Sequence, residues 1–142
     1  MPTIHRSAIV PYSTEQMYEL VNDIARYQEF VPYCIASVVQ SQSDDEIRAT
    51  LTLSAKGFQK SFSTLNRLQK NSMMEIQLID GPFEQLEGFW KFEQRDEMHS
   101  EVILDLTFTL SHKLFAMMFG SVFQEVAGKL VDAFVTRAKE IY

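Results

Sequence analysis

Few side chains in this sequence could carry a reaction. Three histidines, His5, His99 and His112, one cysteine, Cys34, and one carboxylate pair on a single strand are the candidates. A histidine works as a general acid or base only when it lies within reach of an enclosed reacting group. His5 and His99 fall at strand positions out of phase with the apolar residues, and His112 stands where the last helix begins. A lone cysteine makes neither an internal disulfide nor a zinc site. Cys34 follows Pro32-Tyr33 at a helix exit and reads as a small buried residue. Glu101 and Asp105 share the polar side of one strand, yet four residues of extended chain separate them by about 13 Å. That spacing is too wide for two carboxylates to work on one bond. A Gly-rich phosphate loop, G-x-S-x-G and H-E-x-x-H are all absent. The reading is a protein that is not an enzyme and holds no metal.

Apolar surface is what the chain has in excess. Eleven Phe and seven Met stand among 142 residues, and hydrophobic residues make up 46%. In Leu114-Phe115-Ala116-Met117-Met118-Phe119 they point all round a helix instead of along one stripe, and Phe123 again lies beside the stripe. A plain core accounts for much of this. Phenylalanine and methionine around a groove also make an adaptable pocket for an apolar ligand. An exposed apolar helix start would equally serve a partner or a peripheral membrane contact. No stretch approaches the ~20 apolar residues of a membrane span, and the start lacks a signal-peptide core, so a soluble cytoplasmic protein is expected.

Charge is unevenly spread. The net charge is −6, which argues against a general nucleic-acid binder. Between Glu46 and Glu75, however, there is no acidic residue, while Arg48, Lys56, Lys60, Arg67 and Lys70 give that window +5 and leave −11 elsewhere. The window reads either as a solvated hairpin or as a face for an anionic partner, such as RNA or lipid headgroups.

One domain of this length buries roughly 70% of its unfolded surface, enough for one core. Ile4 to Val10 reads as a first strand ended by Pro11. Ser13-Thr-Glu-Gln16 is a capping box, flanked by Tyr12 and Met17 at the staple positions. Met17, Leu20, Val21 and Ile24 follow at helical spacing; Asn22-Asp23 breaks that helix and caps a second short one, which carries Tyr27 and Phe30 and stops at Pro32. From residue 35 to 110 the period is two. Ile47, Ala49, Leu51 and Leu53 alternate with polar residues, as do Met74, Ile76 and Leu78, then Leu86, Gly88, Trp90 and Phe92, then Val102 through Leu110. With weaker candidates at Ile35–Gln42 and Gln59–Leu68, seven antiparallel strands are expected, turning at Lys56-Gly57, Asn71-Ser72, Asp80-Gly81-Pro82 and Arg95-Asp96. A proline-free helix then runs from about Lys113 to Ile141, roughly 43 Å long.

One apolar sheet face and one long helix predict an α+β fold in which a curved sheet grips the C-terminal helix, with the two short helices closing one end. A helix about 10 Å wide does not fill such a groove, so a cavity is expected between them.

The order of several segments then carries a resemblance. They are Val10-Pro-Tyr-Ser13, Glu15-Gln-Met-Tyr-Glu-Leu-Val-Asn-Asp23, Tyr27-x-x-Phe30-x-Pro32-x-Cys34, Asp80-Gly-Pro-Phe83, Gly88-x-Trp90-x-Phe92 and Arg137-Ala-Lys-Glu-Ile-Tyr142. Together they resemble the coenzyme Q-binding, polyketide-cyclase-like branch of the START (helix-grip) superfamily, and within it the bacterial ribosome association toxins. The resemblance covers essentially the whole chain and implies the helix-grip fold. It also implies two functions. Mitochondrial relatives bind ubiquinone and assist respiration without catalysing a reaction. Toxin relatives bind the large ribosomal subunit and block its joining to the small one, inhibiting translation. The cyclase label belongs to other relatives, and no acid–base pair here supports it.

The expected ligand is ubiquinone or a similar isoprenoid lipid, held between sheet and helix. The lining candidates are Phe30, Leu51, Phe62, Ile76, Leu78, Trp90, Leu104, Leu106, Val122, Phe123, Val126 and Leu130. For the alternative, contact with rRNA of the large ribosomal subunit, the candidates are Lys56, Lys60, Arg67 and Lys70.

Overall fold

The computed structural model describes every residue except Met1, Pro2, Lys56, Ser111 and His112, and the side chains of Phe58 and residues 113–118 also lie outside the description. The expectations for Lys56 and His112, and for the all-round apolar start of the last helix, fall there.

Seven strands form one antiparallel sheet: β1 (Thr3–Val10), β2 (Cys34–Gln42), β3 (Glu46–Ala55), β4 (Phe58–Gln69), β5 (Met73–Asp80), β6 (Phe83–Gln94) and β7 (Ser100–Leu110). Their order is β1-β7-β6-β5-β4-β3-β2, so β2 to β7 run as successive hairpins while β1 pairs across the far edge, Thr3 opposite Thr107. Helix α1 (Thr14–Asn22) and a 3-10 helix (Ile24–Glu29) link the two edges, and α2 (Lys113–Ile141) lies on the concave face. Strand count, helix limits and architecture agree with the alternation in the sequence.

Local chemistry sets the ends of these elements. At α1 the Ser13 Oγ accepts from the Gln16 N–H at 3.1 Å, and Gln16 Oε1 accepts from the Ser13 N–H at 3.0 Å. This reciprocal cap satisfies two amides that helix geometry leaves open. Ser100, fully buried where β7 begins, donates to the Tyr12 carbonyl at 2.8 Å and so fixes the approach to α1. Ser37 on β2 holds the 3-10 helix: its hydroxyl donates to the Ala25 carbonyl and accepts from the Gln28 N–H, while Gln28 Oε1 accepts from the Ser37 N–H. His99 lies in the turn before β7 and not on a strand.

Inward residues of the strands meet α2 in the core, where Leu104, Val102 and Phe134 are fully covered. Helix α2 comes closest to the backbone of β1 and β7. Toward β3, β4 and β5 it stands further off. At Gly88 on β6 the neighbouring backbone of β7 leaves no room for a side chain. A Cβ placed there would lie 2.1 Å from the Asp105 carbonyl oxygen and 2.9 Å from the Leu106 Cα. Such contact requires a residue with no side chain.

Candidate functional site

The space left by the offset of α2 is an apolar cavity of about 80 Å³. Its floor is Ala49, Leu51 and Leu53 from β3, Phe62, Thr64 and Asn66 from β4, Met74 and Ile76 from β5, and Leu86, Trp90 and Leu106 beyond them. Phe123, Val126, Ala127 and Leu130 of α2 form one wall, and Ile24, Tyr27 and Val31 form the roof.

Two aromatic clusters close the groove at its ends. Phe83 and Phe123 stand at the centre of one, with ring centroids 4.9 Å apart and Phe62, Phe108 and Phe119 around them. In the other, Phe134 meets Tyr27, Phe30 and Trp90 edge to face at 5.1 to 5.2 Å. Edge-to-face packing of this kind adds about 0.5–1.5 kcal/mol per pair beyond area burial. The cavity is what remains between two rigid plugs.

The roof is tied to α2 from outside. Arg137 pairs with Glu29 at 2.5 Å and lays its guanidinium over the Phe30 ring, 5.0 Å from the centroid. Tyr33, held in the left-handed region at φ 63°, donates its hydroxyl to Glu125 at 3.2 Å. Beneath the roof the Tyr27 hydroxyl donates to the Val21 carbonyl, and burial raises its pKa above the usual phenol value. It stays a neutral donor, committed to that carbonyl.

Of the residues expected from sequence to line the groove, Leu51, Phe62, Ile76, Trp90, Leu106, Phe123, Val126 and Leu130 border the cavity. Four do not. Leu104 and Val122 are fully covered and lie outside the lining of this cavity. Phe30 belongs to the aromatic plug, and Leu78 packs against the core from the far end of β5. The roof residues and the two polar ones, Thr64 and Asn66, are absent from the sequence-based set. Period-two alternation would have found Thr64 and Asn66, which share the face of Phe62, had polarity not excluded them.

Among the described candidates of the basic window, Lys60 stands apart from Arg67 and Lys70. Lys60 lies opposite Leu53, near the β3–β4 turn, whereas Arg67 and Lys70 lie toward the other end of β4. Seven residues of strand put Lys60 and Arg67 about 23 Å apart. Arg67 is moreover aligned with Glu46 on β3 and Glu75 on β5, the acidic residues that bound the window in sequence. Hairpin pairing brings back across the sheet the charges that the linear order kept away.

Among the described residues, His5, His99 and Cys34 lie off the cavity. His5 sits on the exposed side of β1 with its Nδ1 2.6 Å from Asp105, and His99 pairs with Asp96 at 3.0 Å. Cys34 is buried, and that burial pushes its thiol up, away from the reactive thiolate. Among the described residues no group of three His, Cys, Asp or Glu could hold a metal ion, and no helix is long and apolar enough to cross a membrane.

Comparison with known proteins adds to this geometry. Residues 10–135 match the family described as polyketide cyclase / dehydrase and lipid transport. The chain is 42% identical over 142 residues to the ribosome association toxin RatA of Escherichia coli (strain K12), covering 100% of this chain and 90% of that protein. It is 26% identical over 140 residues to the mitochondrial coenzyme Q-binding protein coq10 of Schizosaccharomyces pombe, covering 94% of this chain and 84% of that one. Among solved structures, a START superfamily protein from Mycobacterium smegmatis shares the fold with a TM-score of 0.80 at 16% identity, over 99% of both chains.

Proposed function

Because the chain belongs to the polyketide cyclase / dehydrase and lipid transport family, we infer that it is a lipid-binding protein and not an enzyme, and that it holds an isoprenoid of the ubiquinone type in the cavity beneath α2. One observation carries this reading: the cavity walls are apolar apart from two side chains on β4, the Trp90 indole N–H and the committed Tyr27 hydroxyl. Such a space favours a greasy molecule through the area it removes from water. Its 80 Å³ is small beside the roughly 300–1,000 Å³ typical of ligand pockets. A long tail therefore requires the roof to lift, against the Arg137–Glu29 and Tyr33–Glu125 contacts. Mass spectrometry of lipids extracted from the natively purified protein tests the reading. An isoprenoid is expected, and folded protein that yields none would overturn it.

The 42% identity to a ribosome association toxin over the full chain supports a second reading, association with the large ribosomal subunit. It uses the outer surface and is compatible with the first. Arg67 and Lys70, both exposed, are the basic pair at one end of β4. Replacing both with Glu is expected to abolish co-sedimentation with large subunits, and native binding should weaken steeply with salt as counterions are released. Sedimentation unchanged by the reversal would move the contact to another face. Stability should shift by less than about 0.5 kcal/mol, as is usual for exposed positions.

A further inference from the structure

We propose that Asn66 is the polar anchor of the cavity, and that the ligand it selects presents a hydroxyl at the end of an apolar body. This rests on the reading of the cavity as a lipid site.

Asn66 points inward on β4, is 4% exposed, and lies in register between Ile47 on β3 and Ile76 on β5. Its Oδ1 is enclosed, and no group donates to it. Of the other polar groups in the lining, the Tyr27 hydroxyl is committed to Val21, and the Trp90 indole N–H makes no hydrogen bond to Oδ1. Thr64 stands two residues away on the same face, about 7 Å along the strand. An amide oxygen taken out of water without a donor is a cost that buried polar groups in folded proteins almost always avoid. Leucine has nearly the same shape and would carry no such cost. The polar residue thus makes the empty cavity less favourable than it need be, and a donor on the ligand would reverse that.

Chemistry then narrows the ligand. An ionised carboxylate or a ketone offers only acceptors: it can accept from the Asn66 amide N–H but leaves Oδ1 unmet, whereas a hydroxyl can serve both. A hydroxyl donates, and the rest of the lining takes the hydrocarbon. The fitting class is an isoprenoid alcohol, or the reduced quinol form of a quinone over its oxidised form.

The test uses geraniol, a ten-carbon isoprenoid alcohol, and geranyl methyl ether, which has the same skeleton and no donor. Trp90, the chain's single tryptophan, lines the cavity and reports binding by its fluorescence. The native chain is expected to bind the alcohol about fivefold more tightly than the ether, the worth of one net hydrogen bond. Asn66→Leu should bind the two alike, and should melt at a higher temperature than the native chain when both are free of ligand. Equal affinities in the native chain would mean that trapped water serves Asn66, and would overturn the anchor while leaving the lipid site. Failure of either compound to bind the native chain would overturn the lipid site and the anchor with it. A preference that survives in Asn66→Leu, or a lower melting temperature of that variant, would also overturn the anchor. The comparison in the native chain decides the question even where the variant does not fold.

Discussion

Gly88→Ala is expected to lower the melting temperature by about 10 °C, from a loss near 3 kcal/mol. The added methyl would lie 2.1 Å from the Asp105 carbonyl oxygen. Overpacking in a core is usually relieved by a side chain changing rotamer. Here the obstacle is backbone in the middle of a sheet, paired on both sides, and relief would pull β6 from β7 at the register Gly88 opposite Leu106. Thermal unfolding of the variant checks this, and a shift under about 3 °C would show that the strands can part there at little cost.

Ala127→Leu and Val122→Trp should separate in opposite directions, although both enlarge a buried residue of α2. Ala127 borders the cavity, so three added carbons enter empty space. Filling a void of this kind commonly adds about 0.5–2 kcal/mol of stability, and the ligand should lose its place. Val122 is 1% exposed and lies outside the lining of that cavity. An indole there should cost about 1–3 kcal/mol or more. Melting temperatures beside fluorescence titration of an isoprenoid read both effects. Lost stability in Ala127→Leu would mean that the space closes on its own in solution.

The contrast between those two residues also shows what the sequence reveals of the site and what it does not. Alternation along β3, β6 and β7 and the stripe on α2 state which way each side chain faces, because period and handedness are local properties. Seven strands, their order of turns and the Lys113–Ile141 helix follow from that alone, as does the α1 cap. A void is different. Val122 and Val126 lie on one helical stripe and read identically, yet only Val126 borders the cavity. The difference arises from the offset of α2 toward β1 and β7, which depends on the whole sheet's curvature. The roof residues Ile24, Tyr27 and Val31 read as ordinary core for the same reason. Asn66 does not stand out in the sequence because polarity is taken to mean solvent, which holds for most residues but fails where an amide lines a cavity. Lys60 and Arg67 share a basic window in sequence, but strand geometry holds them apart.

The pairing of β1 with β7 has a further consequence, in the timing of synthesis. Thr3 must wait for Thr107, about a hundred residues later. At roughly 5–20 residues per second that is on the order of 5–20 s of translation. Strands β2 to β7 can pair in turn as each hairpin emerges, since their contacts are local. Closing the β1 edge requires contacts between residues up to about a hundred positions apart, and such contacts form slowly. Helix α2 follows β7 and emerges later still. Throughout that interval the concave apolar face has no cover, and a nascent chain carries an open sheet edge beside it. Completion of the fold is therefore a late event in its own synthesis, with the apolar cavity the last part to take shape.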